Sequence, residues 1–350
     1  MNFKSFIYRG LYGMMAIVAS VSLTACGGDD DGEPGGGGSE SVTESPWASG
    51  ANVLLTSIEE VGERTAVYEY DSKNRPVNCY YNSKYSSRED SYSIDYASNK
   101  IDLYLDDEFP PMNISFTSSG NISRLNGSAQ ESVVEDGVKY SYSMSFNWEF
   151  KYNGEGRLTH SEVYTKMAYS VGDMSDENWS QASTDYSWSD GKLVKIQGTA
   201  KNYEGKEYGE WTSEGTLTFT YGSKENKYCQ YPASLEMDGD LSFFAIGLVG
   251  KGPSVLPESQ HYVSVEKSKN GTNNIDYEAR AEFVVNTDGT IASEKWIDTN
   301  TNSTRCEYIY NYSSKNSSTK AIAPWQQSKK LSVREKFNRM MNAFSIRNFK

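Results

Sequence analysis

The chain has 350 residues, with 47 Asp and Glu against 34 Lys and Arg and a formal charge of −13. So acidic a chain lacks the cationic surface that phosphate recognition needs, which argues against a nucleic-acid partner and fits a self-repelling, solvated domain. Its length allows one large all-β domain or two ordinary ones.

Lys4 and Arg9 open the chain, and an apolar stretch from Leu11 to Leu23 follows. A charged start, about a dozen apolar residues and small residues before a cut describe a secretory signal. Spanning a bilayer takes about 20 apolar residues, so this run is too short. The stretch ends on Leu23-Thr24-Ala25-Cys26 and resembles the lipobox of bacterial lipoproteins. That resemblance implies cleavage after residue 25 and acylation of Cys26, a firm lipid anchor. Asp29, Asp30 and Asp31 follow at once, and this acidic run resembles the export signal of Bacteroidetes surface lipoproteins. It implies a protein lipid-anchored in the outer membrane and facing the cell exterior; the alternative is a solvated acidic spacer. Pro34 and Gly35 to Gly38 continue a flexible tether over residues 26–51.

Residues 52–313 read as an antiparallel β domain. In 140–152, Tyr140, Tyr142, Met144, Phe146, Trp148, Phe150 and Tyr152 share one parity, while serines, Asn147, Glu149 and Lys151 take the other. That period of two predicts one long strand of about 43 Å with an apolar face and a wet face. Around it recurs a pattern of aromatic strand end, turn residues, often a base, then an apolar strand start. It occurs at Tyr70 to Val77, Tyr96 to Ile101, Phe116 to Ile122, Tyr152 to Leu158, Trp188 to Leu193 and Val285 to Ile291. Gly, Asn and Asp supply the positive φ values that tight hairpins use. Successive hairpins predict a long meander that curls or closes to bury its aromatic face. A membrane-spanning barrel with that face towards lipid is the alternative topology; Lys and Glu on many strands argue against it.

Residues 232–257 break the pattern. Leu241, Phe243, Phe244, Ile246, Leu248 and Val249 are too apolar for a solvated loop. They predict a plug lying on the concave face of the sheet, with a ligand lid hinged at Gly247, Gly250 and Gly252 as the alternative. Phe219-Thr220-Tyr221, then Asn226-Lys227, then Gly247 to Lys251 and Leu256-Pro257 come in an order that resembles a Bacteroidetes surface-lipoprotein domain of unknown function. The resemblance implies a porin-like curved β fold and brings no catalytic residues. Residues 314–350 form a basic tail with nine Lys/Arg and a single acid, Glu335. Val333, Phe337, Met340, Met341 and Phe344 predict an amphipathic helix there, docked on the acidic body or on an anionic surface.

Catalytic signals are sparse. His160 and His261 stand alone at no metal-ligand spacing, and no GxSxG or HExxH occurs. We therefore expect no enzyme activity, no metal and no cofactor. The carboxylate clusters Asp106-Asp107-Glu108 and Asp238/Asp240 leave a hydrolase as the remoter alternative. Besides Cys26 there are Cys79, Cys229 and Cys306, too few and too scattered to define a pairing. Aromatic residues are the remaining resource. Trp179, Trp188, Trp211 and Trp296 are candidate sugar-stacking residues, each otherwise a packing residue. The expected function is a non-catalytic surface lipoprotein that binds a glycan or a host or envelope protein; an envelope-assembly component is the other reading.

Overall fold

The structure is a computed structural model and describes residues 50–83, 91–103, 111–135, 137–205, 209–235 and 243–315. Cys26, Asp29, Asp30, Asp31, Leu241, both carboxylate clusters and the tail helix lie outside these residues. Sixteen strands follow one another. The first eight are β1 (Val53–Glu60), β2 (Arg64–Tyr70), β3 (Pro76–Ser83), β4 (Ser91–Asp95), β5 (Lys100–Leu103), β6 (Met112–Phe116), β7 (Ile122–Glu135) and β8 (Val138–Tyr152). The rest are β9 (Leu158–Val171), β10 (Met174–Ser189), β11 (Lys192–Glu204), β12 (Glu210–Glu225), β13 (Val255–Ser268), β14 (Gly271–Val285), β15 (Ile291–Asp298) and β16 (Thr304–Ser314). Each pairs antiparallel with its sequence neighbours, and β1 pairs with β16 from Val53↔Ser314 to Glu60↔Tyr308. The result is a closed barrel without free edges, a porin-like architecture.

Closure of an all-meander barrel puts the loops after even-numbered strands at one end, the floor, and those after odd-numbered strands at the other, the rim. Every hairpin read from the sequence lies at the floor. Four of them share one five-residue loop, 71–75, 117–121, 153–157 and 286–290. In each, the first N–H bonds the fifth carbonyl and the fourth N–H bonds the first carbonyl, for example Asn153 N to Arg157 O and Gly156 N to Asn153 O, both 3.0 Å. The fourth residue takes positive φ in all four (Asn74, Gly120, Gly156, Gly289), which is why Gly or Asn stands there. A register shift just before each loop marks a bulge that swings the strand end inward.

The aromatic residue near the floor end of a strand then has a task. Tyr152 Oη donates to Ile122 O (2.5 Å), Trp188 Nε1 to Leu158 O (2.6 Å), Tyr221 Oη to Leu193 O (2.7 Å) and Tyr312 Oη to Ile291 O (2.8 Å). Each bond ties the floor end of an even-numbered strand to the start of the odd-numbered strand before it. The basic residue after the turn covers the aromatic of the next hairpin. Arg75 lies 4.2 Å over Tyr96, Arg157 4.9 Å over Trp188 and Lys192 5.9 Å over Tyr221. The apolar strand starts, Ile122, Leu158, Leu193 and Ile291, are wholly buried beneath this ring.

Segment 243–250 lies inside the floor. Phe243, Phe244, Ala245, Ile246, Leu248 and Val249 are buried, with Phe243 against Tyr92 and Trp148 and Phe244 against Tyr231 and Tyr186. Backbone bonds fasten its C-terminal side, Ile122 N to Leu248 O (2.7 Å) and Lys251 N to Gly156 O (3.0 Å). Its glycines mark close approach. A Cβ on Gly250 would meet Gly156 O at 2.5 Å, and one on Gly252 the Gln230 backbone at 2.8 Å. No disulfide joins Cys79, Cys229 and Cys306.

Strands β7 to β14 run 13–16 residues, β16 runs 11 and the others 4–8, so the wall stands tallest over β7–β14. On β9 to β11 the inward residues become smaller towards the rim: Tyr186 and Ile196 give way to Ser161, Thr184 and Gly198, then to Thr165, Ser180 and Asn202, while Trp211 on β12 stands opposite Asn202. The outward face is mostly polar: Ser141 to Lys151 on β8, Thr212 to Thr220 on β12, and Asn274, Asp276, Glu278, Arg280 and Glu282 on β14, with Val134, Val263, Val284 and Ile309 exposed singly among them. The aromatic face of β8 points inward, and the outer wall carries charges and scattered apolar residues in place of a continuous apolar band.

Candidate functional site

Alternation decides the fate of each tryptophan. Trp211 shares the parity of Leu217 and Phe219 and is buried inside the wall. Trp296 is completely buried against Phe283. Trp188 is half-buried in the floor ring, its Nε1 bonded to Leu158 O. These three are packing residues of the barrel interior and do not gather into one surface. Trp179 differs. It stands nine residues before Trp188 on β10, hence on the opposite face, and points outward.

Around Trp179 the outer wall carries an arrangement that the sequence did not announce. Pairing of β10 with β11 sets Trp179 opposite Tyr203, and the two rings lie nearly parallel, 14° apart with centroids at 6.2 Å. Lys201 reaches over Trp179 at 5.5 Å and approaches Glu210 at 3.5 Å. On one side lies a groove of about 480 Å³ lined by Gln130, Ser141, Ser143, Ser170, Glu177 and Tyr203. On the other lies one of about 380 Å³ lined by Gln181, Thr199, Lys201, Thr212, Glu214 and Lys267. Hydroxyls, amides and paired charges beside flat rings form the kind of surface that holds a polyhydroxylated ligand. Burial and the neighbouring Asp176 carboxylate raise Tyr169, at the edge of the first groove, above an ordinary phenol, so it stays a neutral donor.

Asp176 and Glu177 are consecutive on β10, so their side chains leave on opposite faces of the strand, and both border the first groove. Glu177 is held by Lys166 at 2.5 Å. His160 Nδ1 pairs with Asp185 at 2.8 Å and His261 Nε2 with Asp276 at 2.7 Å, both on the outer face. Among the described residues no group of three His, Cys, Asp or Glu is placed to hold a metal ion.

Sequence reasoning named Trp179 and missed Tyr203 and Lys201. Parity within β11 places those two on one face, but only the register with β10 sets them beside Trp179.

No family model matches the chain, and no curated protein matches it. Among solved structures, a porin-like protein from Bacteroides uniformis is similar over 74% of this chain and 98% of its own, at 10% identity and a TM-score of 0.36.

Proposed function

We propose that the protein is a non-catalytic lipoprotein of the outer membrane, held by lipid on Cys26 and facing the exterior, whose water-facing barrel binds carbohydrate on its outer wall at Trp179 and Tyr203. The observation that supports it most is the distribution of side chains. A transmembrane barrel shows lipid an apolar band, and Lys or Arg at its midplane costs about 2–4 kcal/mol each. Here Lys151, Lys195, Arg280 and Glu282 stand on the outer face, and Phe, Trp and Ile fill the inside. Such a barrel belongs in water and reaches the membrane through its tether. The floor is filled by segment 243–250, which speaks against a pore and in favour of a display or binding role.

The test has two parts. The chain without residues 1–26 is extracted without detergent, and a folded monodisperse domain is the expected result; a requirement for detergent contradicts the water-facing barrel. The same domain is then screened on a glycan array together with Trp179→Ala. Binding lost in the variant supports the site, and silence towards every glycan removes the carbohydrate reading.

A further inference from the structure

Most residues of the two grooves share the outer face with the aromatic pair, and their order across the strands bears on the shape of what they hold. Strand register puts Lys166, Trp179, Tyr203 and Glu210 in one row over four strands. Beside it runs a second row, Gln181, Lys201, Thr212 and Lys267. The first groove reaches back to Gln130 and Ser143 on β7 and β8; the second reaches forward to Lys267 on β13. From β7 to β13 the face crosses six interstrand gaps of ~4.8 Å, about 29 Å in all, or about five to six sugar units at roughly 5 Å each. The aromatic pair sits near the middle of that span.

Charge narrows the ligand further. The three lysines of this face each lie beside a carboxylate: Lys166 with Glu177 (2.5 Å), Lys201 with Glu210 (3.5 Å) and Lys267 with Glu214 (3.9 Å). Cations already balanced in this way give a sulfate or uronate no net attraction, while hydroxyl and amide side chains line both grooves.

Resting on the carbohydrate reading above, we infer that the ligand is a neutral, linear oligosaccharide of about five to six units laid across the strands. Its central ring stacks on Trp179 and Tyr203, and its flanking units bond to the two grooves. A platform without grooves would hold one ring; grooves without a platform would hold a hydrated chain weakly.

The test uses oligosaccharides of one to seven units cut from the polysaccharide that scores on the array, titrated calorimetrically into the chain lacking residues 1–26. Affinity is expected to rise at least tenfold from two units to five and to level off beyond six. Trp179→Ala should abolish binding at every length. Lys267→Ala, an exposed change in the far groove, should weaken binding of five units and leave two units unaffected. Equal affinity for two and five units, or tighter binding of a sulfated chain than of its neutral counterpart, overturns this inference while leaving carbohydrate binding in place. Failure of every glycan on the array removes both.

Discussion

Tyr152 illustrates how single residues hold this barrel. Its hydroxyl is buried, which pushes its ionisation well above that of a free phenol, and it donates to Ile122 O across a hairpin. Tyr152→Phe keeps the ring and leaves a buried carbonyl one bond short, so a loss of about 1–2 kcal/mol in urea unfolding is expected. Gly250→Ala should cost more, about 2–3 kcal/mol, because the new Cβ meets Gly156 O at 2.5 Å and φ is +94°. Gly62→Ala is the control: its φ is +81° but nothing stands within 4 Å, so only the backbone term of about 1 kcal/mol remains. Equal losses at the two glycines would contradict the close-approach explanation. At the rim, the Thr301 N–H and then the Arg305 guanidinium hold the Asp298 carboxyl below its ordinary value. A carboxyl lowered in the fold adds stability above its unfolded value near 4 and gives it up as pH falls through the folded value. Asp298→Asn should therefore reduce stability at neutral pH and make the acid limb below about pH 4 shallower in a pH series of urea melts. Parallel acid limbs would count against it.

Among the elements, the floor hairpins form a repeating unit whose parts act on their neighbours. Bulge and left-handed fourth residue recur in all four five-residue loops, and the aromatic donor and the base join them at 71–75 and 153–157, where Tyr70 bonds Leu55 O and Tyr152 bonds Ile122 O. Arg157 gathers several of these contacts: it covers Trp188, bonds Gly252 O at 2.5 Å and pairs with Glu155 at 3.0 Å while buried itself. Arg157→Leu keeps much of the volume and loses all three, so the hairpin, Trp188 and segment 250–254 should loosen together. Faster amide exchange at Gly191, Gly252 and Ser254, with β13 and β14 unchanged, is the expected pattern. Uniform exchange over the whole chain would show that the floor is not a separable unit. The alternation that predicted strands was readable because a buried face leaves a period of two. The bulges were not, because each depends on how a strand end meets its loop. That is also why Trp211 was placeable by parity with Leu217 and Phe219, whereas Trp296 had no such neighbours to speak for it.

In the whole molecule both ends of the barrel chain leave at the floor. Val53 pairs with Ser314, and Lys315 N bonds Asn52 O at 3.2 Å. A lipid at Cys26 would therefore hold the floor towards the membrane and carry the rim and the outer grooves away from it. On vesicles bearing the lipidated protein, a fluorophore at Gly154 in the floor should be quenched by lipid-borne quenchers more strongly than one at Asp173 on the rim. The reverse order would contradict this orientation. The sequence by itself determined the secondary structure class, the alternation of wet and dry faces, the hairpin positions, and the apolar segment set among polar strands. These are local, because turn chemistry and side-chain period act over a few residues. Only the tertiary structure decided the strand number, the closure of β1 on β16, the gathering of all those hairpins at one end and the meeting of Trp179 with Tyr203. Each depends on register between strands, and register is settled by the whole closed sheet, not by any one strand.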